Sequence, residues 1–273
     1  MLRRNLEENV YWRHRRGVLD LTRRGVCMGI LNVTPDSFSD GGRYGSPEAA
    51  VAHAKRLISG GAVIIDVGGE STRPGSLPVS EEEELLRVVP VVRAIRAECD
   101  AIVPVDTSKA AVAEAALEAG ADITNDVSAF QDPRMVEVAV RYGAGAVLMH
   151  TQGTPATMQA APHYEDVVAE VAEFLRQGRD FAVSLGMPKD ALALDYGLGF
   201  GKTAAHNAAL LEATGSFARM GHALVVGASR KSFLAKLGTT DTAVTARTYA
   251  LGARVFRVHE PAEHVAILQE VHV

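Results

Sequence analysis

The sequence predicts an α/β chain of the (β/α)8 TIM-barrel class, and three observations carry that expectation. Short apolar runs rich in Val and Ile recur along it, each ending in a polar residue and a broken loop, as buried parallel strands do. Ala62 to Asp66, followed by Gly68-Gly69-Glu70-Ser71-Thr72-Arg73-Pro74-Gly75, sets the pattern. Between these runs lie stretches with helical periodicity and helix-start signals. With 273 residues and 47% hydrophobic content, the chain can bury one large core without dividing into two. A doubly wound open sheet is the competing architecture, but no Gly-x-Gly-x-x-Gly follows the first strand.

Residues 1–25 are charged, contain the single Trp12 and read as an N-terminal arm or short hairpin laid against the barrel domain of 26–273. The first strand, Val26 to Asn32, opens into a loop too rich in Pro, Gly and polar residues for regular structure, which carries Asp36. Ser46-Pro47-Glu48 supplies cap, first-turn proline and acid for a helix reaching Ser59. After the Asp66 strand, Ser80 and Glu83 form a capping box, and Leu85, Val88, Val89, Val92 and Ile95 mark the apolar face of the next helix. Glu81 to Glu84 read as a solvated first turn that opposes the helix dipole rather than as metal ligands.

The third strand is Ile102 to Asp106, followed by an alanine-rich helix from Ala110 to Ala119 stopped by Gly120. Strand four, Asp122 to Asn125, precedes a helix capped by Asp132 and running to Tyr142. Strand five is Gly145 to His150; a loop to Pro162 and a long helix from Tyr164 to Leu185 follow. Strand six, Ala191 to Asp195, leads into a glycine-rich loop and a helix from His206 to Met220. Ala223 to Gly227 is strand seven, Ser229-Arg230-Lys231-Ser232 opens a helix, Thr242 to Leu251 forms another, and Ala253 to Val258 is strand eight, with Pro261 starting the last helix.

Composition narrows the function. A net charge of −5 with scattered Lys and Arg argues against nucleic acid as the partner. No apolar run can span a bilayer and no signal-peptide core is present, so a cytoplasmic protein is expected. Cys27 and Cys99 make neither a disulfide scaffold nor a zinc site, and the nine histidines include no His-x-x-x-His pair. Gly201-Lys202-Thr203 ends like a phosphate-binding P-loop, yet Tyr196 stands where that motif needs glycine.

Two polar sets gather at the strand ends. Asp66, Asp106, Asn125 and Asp195 suit a flat heterocycle with several N–H donors, since a carboxylate accepts two parallel hydrogen bonds from an amino-pyrimidinone edge. Arg73, Arg230, Lys231, Arg257 and His259, with Ser232 at a helix N-terminus, suit an organic diphosphate or carboxylate. Arg254 and Arg257 also admit a structural reading as partners of nearby acids. Magnesium held mainly by substrate phosphates needs only one or two protein oxygens.

These residues sit in stretches that resemble the dihydropteroate synthase family: Gly29 to Gly42, Asp66 to Gly75, Val105-Asp106-Thr107, Asn125 to Ser128, Leu148-Met149-His150, Gly199 to Lys202, Ser229 to Ser232 and Arg257-Val258-His259. The resemblance covers nearly the whole chain and implies condensation of 6-hydroxymethyl-7,8-dihydropterin diphosphate with 4-aminobenzoate in folate biosynthesis, with Mg2+ as cofactor. It implies catalytic roles for Asp36, Arg73, Asp106 and Lys231. Asp106, Asn125, Met149, Asp195, Phe200 and Lys231 are then pterin-binding; Asn32, Arg257 and His259 meet the diphosphate, Asn32 also the metal. Thr72, Arg73, Pro74, Phe200, Lys231 and Ser232 would shape the aminobenzoate site, and a homodimer is implied. Tyr196 stands where the family usually has proline, and the segment after Leu237 is short. A pterin-binding methyltransferase and a non-catalytic pterin-binding paralogue are the alternatives; Arg73, Lys231-Ser232 and the Arg257/His259 pair favour the diphosphate reaction.

Overall fold

The computed structural model describes residues 9–34 and 46–270. After a hairpin of β1 (Tyr11–His14) and β2 (Gly17–Asp20) come eight strands: β3 (Val26–Asn32), β4 (Ala62–Gly68), β5 (Pro104–Asp106), β6 (Ile123–Asp126), β7 (Gly145–Met149), β8 (Leu192–Asp195), β9 (Ala223–Val226) and β10 (Val255–Val258). Each pairs in parallel with the next, and β10 pairs with β3, closing a barrel. Among the described residues ten α-helices surround it: α1 (Pro47–Ser59), α2 (Glu81–Glu98), α3 (Ala110–Ala119), α4 (Pro133–Tyr142), α5 (Val167–Ser184), α6 (Ala204–Glu212), α7 (Thr214–Ala218), α8 (Phe233–Lys236), α9 (Asp241–Ala250) and α10 (Pro261–Glu270). The expected barrel is the one observed.

Alternation along each strand sorts side chains between two cores. Cys27, Leu31, Ile65, Val67, Val105, Leu148, Leu194, Val226, Phe256 and Val258 face the helices. Met28, Ile64, Ile123, Val147, Ala193, Val225 and Val255 fill the barrel interior. The hairpin closes the lower end of that interior: Trp12 is 1% exposed, packs with Leu19 and Leu21 in the inner core, and donates its indole N–H to the Ala191 carbonyl at 3.2 Å. The arm is therefore a plug.

Several local expectations need correction. At α2 the Ser80 hydroxyl accepts from the Glu83 amide at 3.2 Å, but the Glu83 carboxylate pairs with Arg87, so only half of the capping box exists. The glutamate run is not wholly solvated either: Glu84 is fully buried against Lys109, at 2.5 Å. A charge run shows its own composition, not the lysine waiting on another loop. The predicted third strand shortens to β5, joined upstream by a single bridge between Ile64 and Ile102. The helix after strand five starts at Val167, where Asp166 caps it, and the stretch 206–220 divides into α6 and α7.

Candidate active site

Continuing the interior files upward by two residues turns apolar side chains into polar ones. Ile64 is followed by Asp66, Ile123 by Asn125, Ala193 by Asp195 and Val255 by Arg257. Because side chains two apart share a face, the same alternation that packs the lower barrel aims these groups into its upper mouth. Met149 continues the β7 file beyond Val147 and lies in register with Asp195; Asn32 ends β3 opposite Gly68.

Arg257 holds the centre. Its Nε donates to Asp66 Oδ2 and one terminal nitrogen to Asp106 Oδ2, both at 2.6 Å, so one guanidinium from β10 spans carboxylates on β4 and β5. Asn125 donates its amide nitrogen to both oxygens of Asp66, at 3.2 and 3.1 Å. Burial alone would lower the Arg257 pKa, but the charges of Asp66 and Asp106 override it and raise it. Burial pushes Asp106 up to about 7 against the opposing pull of Arg257. Among the described residues its buried Oδ1 has no hydrogen-bond partner. A buried orphan acceptor carries a desolvation penalty of about 1–3 kcal/mol that a donor on a ligand can relieve.

Across the mouth, Asp195 is 5% exposed and accepts the Gly197 amide at 2.7 Å. Burial raises its pKa, opposed chiefly by Lys231, whose own pKa burial lowers to about 8. Lys231 donates to the Leu198 carbonyl and places its ammonium 4.5 Å from the centre of the Phe200 ring. The loop between them is fixed from behind. Lys202, 3% exposed, places its ammonium 2.9 Å from His150 Nδ1 and donates to the Phe200 carbonyl at 3.0 Å. Burial lowers Lys202 to about 7 and His150 to about 3. Gly197, at φ 67°, lies so near the His150 carbonyl that a Cβ would come within 1.9 Å of its oxygen. Thus the motif that failed as a P-loop supplies a buried loop anchor instead.

The cationic set is less uniform than expected. Burial, with Arg230, Arg257 and Arg73 nearby, lowers His259 to about 4, so at neutral pH it is an uncharged imidazole, 3.1 Å from Ser229 Oγ. Arg230 turns away to pair with exposed Glu260 at 2.8 Å. The helix expected at Ser232 is the four-residue α8, and Ser232, exposed, makes no side-chain cap. Thr72, Arg73 and Pro74 lie on the loop above β4, which meets the loop above β7 through Gly75 N to Pro155 O at 2.9 Å. Asp36 lies outside the described residues.

Tyr196 follows inward-facing Asp195 and so points outward. It is fully buried beside Phe217, with its hydroxyl 3.3 Å from Thr214 Oγ1. The departure from proline therefore fills the layer between barrel and helices. Lys202 and His150 were not read as site residues from the sequence; a lone lysine inside a glycine loop carries no signal of its burial.

A closed parallel barrel with buried acids, a buried amide and two half-buried cations at its C-terminal mouth defines an α/β-barrel enzyme suited to an anionic, nitrogen-rich small molecule. The chain matches the pterin binding enzyme family over residues 28–259. It is 45% identical over 263 residues to the dihydropteroate synthase of Escherichia coli K12, covering 93% of this chain and 92% of that protein. It is 43% identical to the Synechocystis dihydropteroate synthase, covering 89% and 88%. Among solved structures, a Yersinia pestis dihydropteroate synthase in complex with a sulfonamide drug superposes with a TM-score of 0.88 at 42% identity, covering 95% of this chain and 97% of that one. A Xanthomonas albilineans dihydropteroate synthase in complex with 7,8-dihydropteroate gives 0.82 at 39% identity, covering 92% and 94%. The chain belongs to the pterin-binding enzyme family; within it, it falls among the dihydropteroate synthases and is a transferase.

Proposed function

We propose that the upper mouth ionises 6-hydroxymethyl-7,8-dihydropterin diphosphate and delivers the resulting carbon to the amine of 4-aminobenzoate. The observation that carries this reading is the orphan oxygen of Asp106 beside the Asp66, Asn125 and Arg257 network, with Asp195 and Lys231 on the same rim. Asp195 accepts the pterin's N–H edge, Asn125 and Asp106 contribute further polar contacts, Met149 packs on the ring and Phe200 borders it.

In the reaction the methylene C–O bond breaks and its electron pair leaves with the diphosphate. The electron-rich pterin delocalises the positive charge, and Asp106 stabilises it, with Asp36 assigned the same part on sequence grounds. The arylamine nitrogen then forms the C–N bond and loses a proton. No protein nucleophile takes part. Arg257 contributes field and a donor to the departing diphosphate while remaining tied to its two acids, and His259 contributes an imidazole N–H; such groups help by favouring the charge that develops in the transition state. Thr72, Arg73, Pro74, Lys231 and Ser232 border the aminobenzoate.

Asn32 fits magnesium, being a hard oxygen donor at the β3 terminus; among the described residues no cluster of three or more His, Cys, Asp or Glu could hold a metal, which suits an ion ligated mostly by phosphates and water. When bound, the ion supplies charge neutralisation to the diphosphate. A homodimer is proposed on family grounds, as is a cytoplasmic location; among the described residues no helix is long and apolar enough to cross a membrane.

The test mixes the chain with both substrates and magnesium. One diphosphate should appear per dihydropteroate, with a normal secondary deuterium isotope effect at the methylene. Diphosphate release without the conjugate would overturn the reading, and an isotope effect of unity would overturn the ionisation.

A further inference from the structure

The loop above β4 is built on a hinge of charge that lies outside the pterin site. Residues 71–78 form its span, and α2 begins just beyond it. Glu70 stands at the near end and Val79 at the far end, and one oxygen of Glu70, Oε2, accepts from the Val79 amide at 3.0 Å, closing the neck. The same oxygen accepts from Lys109 Nζ at 2.6 Å. Lys109 comes from the loop above β5, and its ammonium also meets Glu84 Oε2 at 2.5 Å.

Glu84 is fully buried, so Lys109 is anchored in the interior on one side and grips the loop on the other. α2 reinforces the grip from below. Arg87 Nη1 donates to the Gly69 carbonyl at 2.8 Å, and Gly69 lies so close that a Cβ there would fall 2.7 Å from Val88 and 2.9 Å from Glu84. Inside the span, the Ser76 hydroxyl is shared between the carbonyls of Ser71 and Arg73 at 2.5 and 2.7 Å, which ties the span together above this neck.

We propose that Lys109 is a positioning residue: by bridging Glu70 to buried Glu84 it sets the height of the 71–78 loop over the mouth, and with it the binding of the aminobenzoate carboxylate. The proposal rests on the reading above that Thr72, Arg73 and Pro74 border that substrate. Lys109 acts through the loop, its ammonium being held by Glu70 and Glu84. Its charge lies between two carboxylates, so removal leaves Glu84 buried without a counter-charge and Glu70 without its anchor. A partly buried bridge of this kind is costly to break on one side only.

Steady-state kinetics of Lys109→Met with each substrate varied should show KM for 4-aminobenzoate raised about tenfold, while KM for pterin diphosphate stays within about twofold, because small misplacements of a substrate-positioning element are costly. Lys109→Arg, which keeps a cation able to span two carboxylates, should recover most of the loss. Glu70→Gln keeps an oxygen for the Val79 amide but drops the ion pair, and should reproduce the selective rise even if Lys109→Met folds poorly. Equal increases for both substrates, or none in a folded variant, would overturn the proposal, as would failure of arginine to rescue. Arg73→Ala separates the two readings. If it leaves KM for 4-aminobenzoate unchanged, the substrate assignment of the loop fails; if it raises that KM and Glu70→Gln does not, the role of Lys109 fails.

Discussion

The two rims of the barrel each bury carboxylates against arginines, and they differ in how completely the charges are satisfied. At the lower rim Asp122 is fully buried, yet both oxygens are used: Oδ1 by Arg16 at 2.8 Å, Oδ2 by Arg96 at 2.8 Å and by the Val103 amide at 2.9 Å. At the upper rim Asp106 has an oxygen with no partner among the described residues and an elevated pKa, and Lys231 is pushed down to about 8. Asp122, closed on itself, holds the fold together; the open oxygen of Asp106, at the barrel mouth, is available to a ligand.

Four experiments test that contrast. Asp122→Ala strands two arginines at the lower rim and should remove about 3 kcal/mol of unfolding free energy in urea titrations, leaving both KM values unchanged. A loss of pterin affinity without loss of stability would erase the distinction between rims. Asp195→Ala should act chiefly on binding: calorimetry should show pterin affinity reduced about hundredfold, since charge-assisted bonds to the ligand are lost, with stability reduced by about 1 kcal/mol for the Gly197 amide left without its acceptor; among the described residues no ion pair of Asp195 lies within hydrogen-bond distance.

Arg257→Ala should weaken pterin diphosphate about tenfold and free pterin by less. The opposite order would assign Arg257 to the acids alone, the structural reading its sequence also allowed. The smallest effect concerns pH. The folded pKa of Asp106 is raised from its ordinary 3.8 to about 7, so the stability it contributes is present at low pH and is lost as pH rises through 7. Asp106→Asn should therefore stabilise the ligand-free protein at pH 8, by about 1 kcal/mol, and hardly at all below pH 4. Thermal melts at both values check it; an equal gain at both would place Asp106 among ordinary carboxylates.

Much of this was legible beforehand because alternation and strand-end chemistry are local. Ile64 followed by Asp66, or Ala193 by Asp195, states both a direction and a polarity in three residues. What stayed hidden depends on partners far along the chain. Glu84 looked solvated until Lys109 met it, and His259 looked cationic until three arginines and burial made it neutral. The clamp of Arg257 on two acids joins residues 191 and 151 positions apart, beyond any periodicity. Ser232 failed for a different reason: cap chemistry marks where a helix starts but not how soon it ends.

Among the described residues, Trp12 leaves the barrel open at its upper end alone. With the indole and its leucine neighbours stopping the lower end, and Met28, Ile64 and Val147 filling the bore above them, nothing can drain through the cylinder. Both reactants must arrive, and both products depart, across the same threshold. The loops around that threshold, 71–78 among them, therefore stand on the path of every ligand.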